Sequence, residues 1–125
     1  MEFQKDKAIY LQIADYICEN ILSKKWVEND RIPSVRELAI ELEVNPNTVM
    51  RTVTFLQEKG IIFNQRGIGY FVAANSYENT LNLKKSDFIQ SDLPRIFKTM
   101  RLLGLSLDDI KPYAVQLENK LERTS

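Results

Sequence analysis

The chain has no histidine, and its 125 residues include a single cysteine, Cys18. Without imidazole there are no Ser/His or Cys/His nucleophile pairs and no histidine zinc ligands, and one thiol supplies neither a thiolate set nor an intrachain disulfide. Metal-centred and acyl-transfer chemistry are therefore disfavoured, and neither cofactor nor metal is expected. Cys18 lies between Ile17 and Ile21 in an apolar-periodic stretch, where a free cysteine is ordinarily a core residue. Long hydrophobic runs are also missing: nothing approaches the ~20 apolar residues that span a membrane. The start MEFQKDKAIY carries charges where a signal peptide has its apolar stretch, so a cytoplasmic protein with no membrane partner is expected. Net charge is absent too, with 17 Lys and Arg against 17 Asp and Glu. No global basic field points to nucleic acid, and any such reading must rest on local placement.

What is present is a 44% hydrophobic composition, enough for one domain of ordinary size or a small domain with an appended helical segment. Ile9, Tyr10, Ile13, Ala14, Ile17, Ile21 and Leu22 recur at three- and four-residue spacing and predict an amphipathic helix over residues 8–25. After a turn at Glu28-Asn29-Asp30, Arg31-Ile32 reads as a very short strand before Pro33. Ser34 followed by Glu37 is a capping box, and Val35, Leu38, Ala39 and Leu42 make the stripe of a second helix.

About three residues later Asn45 is a favoured N-cap, and Pro46 suits a first helical position where its missing N–H costs nothing. This third helix is expected to run to Lys59 and stop at Gly60, burying Val49, Val53 and Leu56. At 100° per residue, Asn47, Arg51, Thr54 and Glu58 gather on the opposite side with Thr48 at the edge. Residues 61–65 and 69–73 are β-rich and joined by Arg66-Gly67-Ile68, a hairpin that would rest on the helices through Ile62, Phe71 and their neighbours.

Residues 74–83 are polar and read as a linker. Beyond it a helix over about 85–103 presents Ile89, Leu93, Ile96, Phe97, Met100 and Leu103, with Pro94 either kinking it or marking its first turn under an Asp92 cap. Ser106 and Asp109 start a last helix whose stripe is Ile110, Ala114, Leu117 and Leu121. Two such helices are too short to enclose their own apolar face, so a homodimer through them is the economical expectation.

Helix, short-linked helix pair and hairpin, in that order, predict a winged helix-turn-helix: a mainly α fold with a small β-hairpin (α+β). The domain would cover residues 1–75 and a two-helix dimerisation tail residues 76–125. In that geometry the start of the third helix enters the major groove of double-stranded DNA. Asn47 and Arg51 would pair with adenine and guanine or hold phosphate, Thr48 would bond a base or phosphate, and Arg36 would reach the backbone. Arg66 with Gly67 at the hairpin tip would engage the minor groove or neighbouring phosphates. The rival reading is a winged-helix protein-interaction module that never binds DNA. An enzyme stands further off, since no convergent acid/base set appears.

The run IPSVRELAIELEVNPNTVMRTVTFLQEKGIIFNQRGIGYFV closely resembles the DNA-binding domain of the GntR family of bacterial transcription regulators. It has that family's Pro-Ser-x-Arg-x-Leu-Ala helix, Asn-Pro-x-Thr-Val-x-Arg recognition helix and Arg-Gly-x-Gly wing. Two departures are Tyr70, where threonine is frequent, and Phe55, at an outward position usually held by a polar residue. The resemblance implies that Ser34, Arg36, Asn47, Thr48, Arg51, Arg66 and Gly67 lie at the DNA. About fifty residues after the wing are too few for the usual effector domain. The tail, with LPRIFKTMRLLGLSLDDI, is instead similar to the YtrA subfamily. That likeness implies a homodimeric repressor of a (pseudo)palindromic operator, and leaves open a small-molecule effector that no residue set specifies.

Overall fold

The helical periodicity of the first segment becomes α1, Ile9–Leu22, in the computed structural model, which describes residue 3 and residues 6–124. Ile13, Ala14, Ile17, Cys18 and Ile21 are buried on one side, while Ile9, at the start of the predicted stripe, is exposed. The capping box forms as the sequence predicts: Ser34 Oγ accepts from the Glu37 N–H at 3.0 Å and Glu37 returns a bond to the Ser34 N–H at 3.2 Å. It opens α2, Val35–Leu42, which buries Leu38, Ala39 and Leu42 and ends on Glu43 in a left-handed conformation. Asn45 Oδ1 accepts from the Asn47 N–H at 2.8 Å and Pro46 takes the first position of α3, Pro46–Glu58.

The Ser34 N–H, and after it the Ser34 hydroxyl, hold the Glu37 carboxyl below its ordinary pKa, with the Arg31 charge adding to the effect. A carboxylate depressed in the folded state stabilises the fold above its unfolded pKa, and the gain is lost as pH falls through the folded value. Acid titration of the melting temperature is therefore expected to show a component on that limb that is missing in Glu37→Gln.

Two strands follow, β1 (Ile62–Gln65) and β2 (Gly69–Val72), antiparallel with Ile62 opposite Val72 and Phe63 opposite Phe71. Residues 29–32 extend the sheet locally. Ile32 N–H donates to Tyr70 O at 3.0 Å and Val72 N–H to Asp30 O at 2.9 Å, so the short strand read at Arg31 exists as a bridge to Phe71. Because side chains alternate, Ile62 and Val72 face the core, and Phe71 stacks with Phe63 on the other face at 5.6 Å. Phe71 is thus not the anchor its hydrophobicity suggested.

The core joins α1, α2, α3 and the sheet: Ile13, Ile17, Ile21, Ile32, Leu38, Val49, Val53, Leu56, Ile61, Ile62 and Val72. Thr52, fully buried beside Val49 and Val53, donates its hydroxyl to the Tyr10 carbonyl at 2.7 Å and pins α3 to the start of α1. Thr52→Val keeps the shape and deletes that bond. It is expected to cost about 1 kcal/mol, read as a melting temperature a few degrees lower.

Residues 74–83 are not a linker. After a turn at Ala74-Asn75 they belong to α4, Ser76–Asp87. Ser76 and Thr80 are buried and Leu83 packs on the core, so small and polar side chains make the contact and no apolar stripe marks it. Asn79 donates to Gly60 O at 2.9 Å, and Lys84 binds Asp15 of α1, which also pairs with Lys7. The first compact unit accordingly extends through Lys85, past the boundary at 75 that composition suggested.

The second unit begins at Ser86. Phe88–Asp92 forms one π-helical turn, in which the Leu93 N–H reaches back five residues to Phe88 O, and α5 (Leu93–Leu103) follows. Asp92 has helical dihedrals and caps nothing; it accepts from Arg95 at 2.8 Å. Pro94 therefore stands just after a widened turn, a local adjustment that relieves the clash of its ring with the preceding carbonyls. Gly104 closes α5 with φ +68°. Ser106 and Asp109 exchange cap bonds at the start of α6, Leu107–Thr124.

Candidate nucleic-acid interface

The first turns of α3 carry the residues of interest. Capping by Asn45 fixes where the helix begins, and the helical period then brings Asn47, Arg51, Thr54 and Glu58 to one surface. These four line an open recess together with Tyr10, Met50 and Phe55. The polar face is as predicted, and its floor is aromatic. Arg51 lies with Cζ 4.1 Å from the Tyr10 ring centroid. Phe55 meets Tyr10 edge-on at 6.2 Å and 79°. The residue expected to point outward is instead half-buried between α1 and α3, with the Lys59 ammonium 5.7 Å from its ring.

Asn47 and Arg51 are exposed, and Thr48, one residue into the helix from Asn47, is half-buried. Arg36 is exposed in the first turn of α2, two residues after Ser34, whose hydroxyl is engaged in the cap. At the sheet tip Arg66, Gly67 and Ile68 are all exposed, Ile68 to 52%. Gly67 has φ +79° with open space around the position of a Cβ, so conformation rather than crowding requires glycine there. Gly69 combines φ +142° with a crowded site, a Cβ there lying 3.2 Å from Arg31 Nε. The structure thus gathers Asn47 and Arg51 in one recess, while Ser34 and Arg36 stand on α2 and Arg66 and Gly67 on the hairpin.

Tyr10 and Arg31 were missed as members of this surface. Tyr10 sits on the edge of the α1 stripe and reads as core. Arg31 reaches the hairpin only through pairing with β2, which no local pattern reveals. An arginine three residues before a capping serine was the available hint.

Residues 9–72 match the family model of bacterial regulatory proteins, gntR family. The chain belongs to the GntR family. Among its relatives, the HTH-type transcriptional regulator YhcF of Bacillus subtilis is 38% identical over 87% of this chain and 88% of its own length. The HTH-type transcriptional repressor YtrA of the same organism is 31% identical over 87% of the chain and 83% of its length. A putative GntR-family regulator from Bacteroides thetaiotaomicron has a solved structure that superposes with a TM-score of 0.74 at 40% identity, covering 91% of this chain and 99% of that one. The likeness runs past the wing into the tail, which makes this GntR protein YtrA-like. The winged helix-turn-helix fold is thereby shown, and the chain is a DNA-binding transcription regulator rather than an enzyme.

Proposed function

We propose that this regulator is a homodimeric repressor that reads a (pseudo)palindromic operator in the cytoplasm, one half-site per protomer. The observation that carries the reading is the recess at the start of α3. Asn47 and Arg51 share it, at the end of the helix where the dipole favours an anion and where a recognition helix meets base edges. Asparagine supplies the donor and acceptor that match adenine, and arginine the fork that matches guanine. Arg36 and Arg66 supply charge to phosphates on either side, and Gly67 lets the tip approach closely. Neutral total charge is compatible with this because exposed acids, among them Glu19, Glu41 and Glu43, stand on α1 and at the end of α2.

The tail supports the dimer. From Leu107 to Arg123 every residue but the half-buried Ile110 is exposed, including Leu107, Tyr113, Val115, Leu117 and Leu121. On the preceding segment Ile89, Ile96, Phe97 and Leu103 are exposed, Leu93 is half-buried and Met100 is covered. So much apolar surface on a soluble-type helix is ordinarily buried against a partner, and a second copy offers the same face. Repression is carried over from YtrA. Among the described residues no helix is long and apolar enough to cross a membrane. A gel-shift with the DNA upstream of the protein's own gene tests the reading: a retarded band that resists competitor DNA is expected, and no band at low salt with folded protein would sink it.

A further inference from the structure

Arg51 is held before any DNA arrives, and the manner of holding matters. Its guanidinium carbon stands 4.1 Å from the Tyr10 ring centroid. Tyr10 is itself held twice, at the ring and at the backbone. Phe55 buttresses the ring edge-on at 6.2 Å, and the Tyr10 carbonyl accepts from Thr52, the residue next to Arg51, at 2.7 Å. Thr52 is wholly buried, so the Tyr10 backbone is tied to the same turn of α3 that carries Arg51.

We propose that Tyr10 is a positioning residue for Arg51, pre-orienting the guanidinium on its aromatic face for a base edge. The proposal rests on the reading of Arg51 as a base-contacting residue. An exposed arginine on a bare helix spreads over many rotamers, and binding must freeze it into one. A carboxylate neighbour would also restrain it, but would occupy the N–H fork and cancel the charge. A ring attracts the cation through its quadrupole and leaves the N–H donors for the ligand. The recess therefore combines restraint with an unspent fork, the combination that two-pronged recognition of guanine requires. Tyr10 comes from α1, so the first helix shares in recognition through this contact as well as supporting the core.

The experiment is a double-mutant cycle on full-length protein, read as affinity for operator and for random DNA. Tyr10→Leu is expected to lower operator affinity about two- to five-fold, the scale of an exposed cation–π contact, with less effect on random DNA. Tyr10→Phe keeps the ring and should bind like wild type. In an Arg51→Ala background, Tyr10→Leu should change operator affinity no further. An equal loss in that background, or an equal loss in Tyr10→Phe and Tyr10→Leu, overturns the proposal. Unchanged operator affinity in Arg51→Ala alone would instead remove the base-reading role on which it depends. A second readout is independent of whether Tyr10→Leu folds: upfield ring-current shifts of the Arg51 side-chain protons in wild type and Tyr10→Phe. Random-coil shifts there overturn the proposal as well.

Discussion

Arg51→Ala is expected to weaken operator binding by about 1–3 kcal/mol while leaving affinity for random DNA much less affected. The magnitude is that of a bidentate contact between a guanidinium and one base, and the asymmetry follows from what the contact reads. A phosphate looks the same at every step of the duplex, so an arginine that holds phosphate contributes equally to every sequence. One that forks onto a guanine contributes only where guanine stands. Arg51 is exposed, and its contact with Tyr10 lies at the surface, so the folded state should lose little when the side chain is truncated. The change in binding is thus separable from stability by a melting curve. Titrations of operator and random duplexes at several salt concentrations make the measurement. Equal losses on both DNAs, with a salt slope reduced by about one, would assign Arg51 to phosphate instead.

Phe97→Asp should have a larger effect on the assembled complex. Phe97 is 43% exposed on α5, flanked on the same segment by exposed Ile96 and Leu103, and the proposed dimer pairs this face with its copy. A carboxylate placed between two apolar faces is desolvated without a partner, so the variant should sediment as a monomer at concentrations where wild type is a dimer. Joining two half-site contacts raises affinity by roughly 10²–10⁴ through effective concentration alone, and the monomer forfeits that factor on the full operator. On an isolated half-site it should bind like wild type. The first unit, through Lys85, has its own core, so its unfolding should be little changed. A Phe97→Asp protein that remains dimeric would place the interface elsewhere.

Much of this was legible in the chain, and the reason differs from element to element. α2 and α3 announce themselves because their starts are chemical: Ser34 with Glu37, and Asn45, satisfy backbone donors that any helix leaves open, and Pro46 removes one. Their apolar stripes then face a core shared with α1, and Asn47 and Arg51 follow on the polar side by geometry alone. α4 was hidden because it packs with Ser76 and Thr80 and tethers itself through Asn79 and Lys84, contacts whose residue types read as linker. The π-helical turn before Pro94 was hidden for another reason, since a proline signals a break in pattern without saying how the backbone absorbs it.

The candidate interface divides the same way. Its α3 members are local in sequence, and the helical period exposes them. Tyr10, Phe55 and Arg31 enter it through tertiary contact: α1 leaning on α3 in the first two cases, and pairing of residues 29–32 with β2 in the third. Periodicity describes one helix at a time and assigns an aromatic on a stripe to the core. At the edge of that stripe Tyr10 has a second neighbour, a cation, that the pattern cannot show.

The proposed dimer recognises one DNA sequence through the start of α3 in each protomer. The most direct test is to pass a pool of random duplexes over the purified protein at physiological salt, sequence what is retained, and repeat the selection with Arg51→Ala. Wild type is expected to retain an enriched inverted repeat, and Arg51→Ala a motif that keeps its symmetry and relaxes at one matched position in each half. Retained DNA with the same sequence statistics as the input pool would contradict that recognition.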